Sequence, residues 1–275
     1  MSMRSWSIAK GHGTENDFVI MVDRHGMLDP SDDDVRFLCD RRSGIGGDGL
    51  LRAIKAQHIP EWDGDPDIWF MDYRNADGSI AEMCGNGVRV FARYLNEEGL
   101  ANEPVIPIGT RAGLRTAYLD RELVRVDMGA VAVDQTPTTI RLGEREFTAM
   151  PADVGNPHAV VEVEDVRSLD LSRAPQFDPE RFPDGVNVEF VQRVGDREVA
   201  MRVHERGVGE TRSCGTGTVA TAAAASQWYG GDEWQVDVLG GQVQVELGEV
   251  AWLTGPAVIV FRGEVLLPDR ETVDA

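Results

Sequence analysis

Two short segments of this chain carry the same pattern at equivalent distances. Met83-Cys84-Gly85-Asn86-Gly87 and Ser213-Cys214-Gly215-Thr216-Gly217 share Cys-Gly-x-Gly, displaced by 130 residues, close to half of the 275-residue chain. The same displacement pairs Asn75 with Glu205, each nine residues before its cysteine. Each pattern opens a segment with helical character. VRVFARYLNEE follows the first until Gly99 stops it, and TVATAAAASQWY follows the second until Gly230 and Gly231. Both segments are mostly apolar or small, as buried helices are. Two similar halves, each a sheet around one helix, account for this pattern. The boundary is expected near residue 118, which gives an N-terminal half over 1–118, to which 263–275 return, and a C-terminal half over 119–262.

The remaining periodicity is that of strands. Asp17 to Val22, Asp67 to Tyr73, Leu123 to Met128, His158 to Val163, Val186 to Val191, Val199 to Val203, Trp234 to Leu239, Val243 to Leu247 and Ala257 to Phe261 are rich in β-branched and aromatic residues. Gly, Asn and Asp interrupt them at short intervals. A third helix is expected after Ser31, with Asp32 to Asp34 placed to complement its dipole. The expected class is α+β: two pseudo-symmetric domains, each a mainly antiparallel sheet curled around a central helix.

Gly44-Ile45-Gly46-Gly47-Asp48-Gly49 formally matches a dinucleotide-binding fingerprint, which needs a strand before it and a helix after it. Here a helical pattern precedes it and the strand-like Leu50 to Ile54 follows, so it reads as a helix-to-strand loop. Hydrophobic residues at 42% and charged residues at 27% describe a folded globular chain. The net charge of −20 repels nucleic-acid phosphates and anionic lipid, so neither nucleic acid nor membrane is expected as a partner. Lys10 and Lys55 are the only lysines. An acidic, lysine-poor surface suits molar salt, where charge repulsion is screened within about 3 Å. No apolar stretch approaches the roughly 20 residues of a membrane span, and Met1 to Lys10 lacks a secretory pattern, so a cytoplasmic enzyme is expected. Three cysteines (Cys39, Cys84 and Cys214) are too few for a disulfide framework. The scattered histidines and the lack of paired-ligand motifs give no reason to expect a metal.

Cys39 lies in an apolar helical pattern and is expected in the core. Cys84 and Cys214 are expected to act. A cysteine at a helix start feels the positive end of the peptide dipoles, which favours its thiolate. The glycines that follow leave backbone N–H groups open to a carboxylate. Two such thiols facing one carbon can invert it without a cofactor: a thiolate removes the proton from one side and a thiol delivers one to the other. The developing negative charge would lie against both helix starts. A redox disulfide between the halves, or an anion- or amino-acid-binding module without chemistry, are the alternatives left open by these residues.

KGHGTENDF (10–18), GIGGDG (44–49), NADGSIAEMCGNG (75–87), GNPH (155–158), GVNVEF (185–190) and HERGVGETRSCGTG (204–217) together resemble the ordered motif set of the diaminopimelate epimerases. The resemblance implies that family's pseudo-symmetric fold with the active site between the halves. It also implies interconversion of LL- and meso-diaminopimelate in lysine biosynthesis with no cofactor. Cys84 and Cys214 would then be the acid–base pair. Gly85, Asn86, Gly215 and Thr216 would donate to the reacting carboxylate. Asn16, Asn75, Asn156, Asn187, Glu205 and Arg206 would hold the substrate's ammonium and carboxylate groups, with His158 in support. Glu15 stands where the family commonly has Gly, and Gly49 where some members carry a Gln that reaches the site. The proline racemase-like enzymes of the same fold typically have His in place of Asn86. The phenazine-pathway isomerases lack the cysteine pair. A homodimer is the macromolecular assembly left open.

Overall fold

Short β-branched runs broken by Gly, Asn and Asp favour strands joined by tight turns, and the computed structural model, which describes residues 3–268, is made largely of such strands. The first part of the chain forms β1 (Met3–Gly13), β2 (Asn16–Asp23), α1 (Asp32–Cys39), β3 (Gly49–Lys55), β4 (Trp69–Asn75), α2 (Gly85–Glu97), β5 (Val105–Thr110), β6 (Gly113–Asp120) and β7 (Leu123–Asp127). It continues through β8 (Ala132–Val133), β9 (Thr138–Leu142), β10 (Arg145–Asp153), β11 (Pro157–Glu162), β12 (Asn187–Gly195), β13 (Glu198–Glu205) and β14 (Gly209–Thr211). The last elements are α3 (Gly215–Tyr229), β15 (Glu233–Val238), β16 (Gly241–Glu246), β17 (Trp252–Pro256) and β18 (Val258–Pro268).

The internal repeat is visible in the pairing. In the first series β1 is antiparallel to β2, β2 parallel to β3, β3 antiparallel to β4 and β4 parallel to β5, followed by antiparallel β5–β6–β7. In the second, β10 is antiparallel to β11, β11 parallel to β12, β12 antiparallel to β13 and β13 parallel to β15, followed by antiparallel β15–β16–β17. A helix fills the corresponding crossover in each: α2 between β4 and β5, α3 between β13 and β15. The series are tied by reciprocal exchange. β8 leaves the first series to pair with β10, and β18 leaves the second to pair with β1 along its length. β7 and β17 pair directly. No helix among the described residues is long and apolar enough to cross a membrane.

Each central helix is buried because its residues allow it. In α2, Val88, Val90, Phe91, Ala92 and Leu95 are fully covered, and in α3 the Ala222 to Ala225 run lets strands approach closely. α2 touches strands of the first series with β17 and β18, and α3 those of the second with β8 and β17. α1 is the helix expected after Ser31. Ser31 accepts from the Asp34 amide, and Asp34 accepts from the Ser31 amide in return, forming a capping box. Cys39 lies in the core beside Leu38 and Val35. Residues 44–48 form the expected loop between α1 and β3, and Gly49 opens β3.

Among the strands that periodicity did not mark is β1, in which Ser, Lys, Gly and His obscure the alternation. Phe91 is fully covered between α2 and its sheet. Phe91→Ala should lower unfolding free energy by about 3–5 kcal/mol in denaturant titration, with no change in the thiol chemistry of the folded fraction.

Candidate active site

The helix starts are capped by sulfur. Cys84 and Cys214 occupy the N-cap positions of α2 and α3 in extended conformation, with φ/ψ of −141/119° and −125/118°. Each Sγ accepts the backbone N–H three residues on, from Gly87 and Gly217, both at 3.4 Å. The sulfur thus stands where a Ser or Asp oxygen commonly caps a helix. The following N–H groups are left for another acceptor. The helices meet end to end: a Cβ on Gly215 would lie 3.1 Å from the Asn86 amide nitrogen and 3.2 Å from Gly85 Cα. The absence of a side chain at Gly215 lets the two starts abut, and at Gly85 it leaves room for Met128.

Asn86 joins the halves at this contact. Its Nδ2 donates to Asn16 Oδ1 at 3.2 Å and to Ser213 Oγ at 3.1 Å, and its Oδ1 accepts from Arg89 at 2.6 Å. Cys84 Sγ donates toward Asn16 Oδ1 at 3.6 Å, and Asn16 Nδ2 donates to Asp48 at 2.7 Å. Asn16 therefore stands beside Cys84. Glu205 lies close enough to Cys214 for its charge to oppose ionisation of the thiol, and Thr211 donates to the Glu205 carboxylate. Thr216 Oγ1 is 3.6 Å from Cys214 Sγ. The other expected residues are arranged around this centre. Asn187 Oδ1 accepts the Arg206 amide at 2.9 Å, which fixes the start of the 206–208 turn. The Arg206 side chain is exposed and folds back to donate to the Asp184 carbonyl at 2.8 Å. Asn75, at the end of β4, donates to Ser79 at 3.0 Å. Asn156 is bonded to His158 Nε2 at 3.0 Å.

His158 is completely buried, and its Nδ1 donates to the equally buried Glu189 at 2.7 Å. Glu189 reaches the α3 start: a Cβ on Gly217 would be 2.6 Å from its Oε1. Glu189 belongs to a residue group that the sequence did not single out, together with Thr14, Asp48, Tyr73, Arg89 and Ser213. Thr14 Oγ1 is 2.7 Å from Ser213 Oγ, so the β1–β2 turn is sewn to the segment before Cys214.

Both departures from the family pattern have structural accounts. Thr14 and Glu15 are the two central residues of the β1–β2 hairpin, with φ of 51° and 62°. Such turns demand the left-handed conformation at both positions, which explains a glycine preference there. In this chain the Glu15 carboxylate accepts from Arg212 of the second half. A side chain at Gly49 would place its Cβ 2.5 Å from the Arg74 carbonyl and 2.6 Å from the Tyr73 ring, so Tyr73 occupies the space a larger residue would need.

The electrostatics correct one expectation. Burial, not the helix dipole, dominates both thiols. Cys84 is pushed up to about 11 by desolvation and by Glu205, against the lowering bonds from the Gly87 and Asn86 amides and the nearby Arg89. Cys214 is pushed well above the usual thiol range by burial, Glu205 and Glu189. The helix starts do favour the thiolates, but withdrawal from water costs more. A methyl group at Gly215 would press on the Asn86 amide, so Gly215→Ala should separate the helix starts by a few tenths of an ångström. It should lower kcat about tenfold while leaving the far-ultraviolet circular dichroism unchanged.

The diaminopimelate epimerase family model matches residues 8–133 and 150–265. The chain is 49% identical over 269 residues to the diaminopimelate epimerase of Corynebacterium glutamicum, covering 94% of this chain and 97% of that one. It is 49% identical over 271 residues to that of Streptomyces coelicolor, covering 93% of each. Among solved structures, a probable proline racemase from Agrobacterium radiobacter superposes with a TM-score of 0.71 at 18% identity, covering 97% of this chain and 94% of that one. A phenazine biosynthesis protein of the PhzF family from Bacillus anthracis gives 0.70 at 16%, covering 96% and 100%. The latter two similarities establish the shared fold, and the sequence matches establish the rest: the chain belongs to the diaminopimelate epimerase family.

Proposed function

We propose that this chain is a cofactor-independent epimerase that interconverts LL- and meso-diaminopimelate in lysine biosynthesis, with Cys84 and Cys214 as its acid–base pair. The observation that carries this reading is the pair of cysteine-capped helix starts set against each other. The reacting α-carboxylate lies between the open N–H groups of Gly85, Asn86, Gly215 and Thr216. A thiolate on one side removes the α-proton while the thiol on the other delivers one. The charge that develops on the carboxylate is met by donors already in place. After turnover the two sulfurs have exchanged protonation states, so the pair serves both directions.

The zwitterionic substrate explains the remaining side chains in this reading. Glu205 accepts from an ammonium group, and Arg206 leaves the Asp184 carbonyl to make a bidentate carboxylate contact. Asn16, Asn75, Asn156 and Asn187 supply neutral donors and acceptors, and His158 supports the second helix start through Glu189. A proline-type substrate has no second ammonium or carboxylate to use Glu205 and Arg206. The halves proposed are 1–118 with 263–275, and 119–262. The pairing of β18 with β1 supports the return, and 269–275 lie outside the described residues. The proposed setting is the cytoplasm, with a small molecule as the ligand. The charge of −20 disfavours nucleic acid and anionic membranes. A second copy of the chain remains compatible with this reading.

Purified reduced protein in molar KCl, without added cofactor, should convert LL-diaminopimelate to the meso isomer and leave proline unchanged by chiral chromatography. Cys84→Ala and Cys214→Ala should each reduce turnover at least about 10³-fold while retaining diaminopimelate binding by calorimetry. Racemised proline, or unimpaired turnover in either variant, would contradict the proposal.

The reaction needs one thiolate and one thiol. With the Cys84 thiol raised to about 11 in the ligand-free protein, the thiolate is scarce at neutral pH. kcat/KM should therefore rise with pH from 7 upward and fall only when the second thiol ionises, giving a bell displaced to the alkaline side.

A further inference from the structure

Asp48 ends the glycine-rich loop that joins α1 to β3. The loop is wrapped onto the end of α1 by backbone bonds from Ile45 and Gly46 to the Leu38 carbonyl and from Gly47 to that of Cys39. Lys10 donates to the Gly46 carbonyl at 2.7 Å, and the Asp48 amide donates to the Asp17 carbonyl at 2.7 Å. The Asp48 carboxylate is thereby carried to the start of β2. Donors meet both of its oxygens. Oδ2 accepts from Asn16 Nδ2 at 2.7 Å and from the Asp17 amide at 3.2 Å, and Oδ1 accepts from Arg41 at 2.8 Å.

From this carboxylate a chain of side-chain hydrogen bonds runs past Cys84 in one direction. Asn16 gives its Nδ2 to Asp48 and turns its Oδ1 toward Asn86 Nδ2 at 3.2 Å and Cys84 Sγ at 3.6 Å. Asn86 turns its own Oδ1 to Arg89 at 2.6 Å. Both ends of the chain have fixed polarity, because an ionised carboxylate accepts and a guanidinium donates. Each amide between them therefore has one orientation that satisfies both neighbours. A reversed Asn16 would set its NH2 against that of Asn86 and its oxygen against the carboxylate.

The internal repeat shows that the fold itself does not require this carboxylate. Phe18 pairs with Gly49 in the first half, and His158 with Asn187 in the second. Asn16 and Asn156 stand two residues before Phe18 and His158, and Asp48 and Val186 stand one before Gly49 and Asn187. The place of Asp48 is thus taken in the second half by Val186, buried in an apolar cluster, and Asn156 is bonded to His158 instead.

We propose that Asp48 is a positioning residue for the epimerisation, which fixes the Asn16 amide with its carbonyl oxygen toward the Cys84 thiol and the Asn86 side chain. The inference rests on the two-thiol reading above and adds to it the group that keeps the Cys84 side in order. The thiol is held at two points, accepting from the Gly87 amide and donating to Asn16 Oδ1. With Asn16 free to reverse, its NH2 would face the sulfur, and Asn86 would keep only Ser213 as an acceptor for its Nδ2.

The test is a double-mutant cycle on diaminopimelate turnover, with folding followed by circular dichroism. Asp48→Ala should lower kcat about tenfold or more in the otherwise wild-type chain. In an Asn16→Ala background the same change should lower it less than about twofold, because the group through which Asp48 acts is gone. Asp48→Asn keeps an oxygen opposite Asn16 and leaves Arg41 its two bonds to Asp17, so it should retain kcat within about threefold. Equal losses in both backgrounds, no loss in folded Asp48→Ala, or a loss in Asp48→Asn as large as in Asp48→Ala would overturn the proposal. If Asp48→Ala does not fold, proton–nitrogen NMR of the labelled wild type decides it, with the Asn16 side-chain amide assigned through Asn16→Ala. One Nδ2 proton should exchange with solvent at least about tenfold more slowly than those of an unbonded side-chain amide. Exchange at the unbonded rate would overturn the proposal. No diaminopimelate turnover by the wild type, with that proton protected, would instead count against the epimerase reading.

Discussion

Two helix N-termini pressed together through glycine set the terms for the rest of this molecule. Helices do not ordinarily meet at their starts, because the unpaired N–H groups there repel and demand acceptors. Here each start has a sulfur for one of its acceptors, and Gly215 removes the side chain that would press on the start of α2. What remains is a concentrated positive potential with two polarisable thiols at its edges. The sheets and their exchanged strands β8 and β18 serve to hold that contact. Reciprocal pairing ties each half to the other at both ends of the repeat, so the helix starts cannot drift independently.

The contact has an electrostatic cost that the surroundings partly offset. Burial pushes both thiols upward, and the backbone amides at the helix starts return part of that loss. Glu205 opposes ionisation of both thiols and Glu189 that of Cys214, with Arg89 weakly favouring the Cys84 thiolate. An acid–base pair in which each member must be able to lose and regain a proton benefits from thiols that stay protonated until a cationic substrate arrives. The ammonium groups of a diamino acid would bring such charge into the cleft. On the proposed reading, the same carboxylate that raises the thiols, Glu205, would be neutralised by the ammonium group it accepts.

The repeat, the class of fold and the helix starts were legible in the sequence because each rests on local rules. Cysteine before glycine-rich helical segments, Ser31 before three aspartates and strands bounded by Gly and Asn need no knowledge of what packs where. β1 was not legible, since its alternation is broken by Gly11 and Gly13, which make room for β18 and for Arg89. Arg89 itself sat in plain view between Val88 and Val90 of α2. That position was the signal, but only the packing reveals that its guanidinium goes inward. Glu189 is hidden in the same way between Val188 and Phe190, in a strand covered on both faces. The helix dipole was read correctly in sign, but its magnitude relative to desolvation depends on burial that no motif encodes. Glu15 and Gly49, odd against the family pattern, become intelligible through a left-handed hairpin and the Tyr73 ring.

The central claim is that two sulfurs act on opposite faces of one carbon, each holding its own proton. The direct measurement is the initial-rate distribution of deuterium when the wild-type protein turns over LL-diaminopimelate in D₂O, by proton NMR and mass spectrometry. The account predicts that the meso product carries one deuterium at the inverted carbon from the first turnovers, while the recovered LL isomer remains unlabelled. Recovered LL isomer acquiring deuterium as fast as product forms would show one base serving both faces and would contradict it.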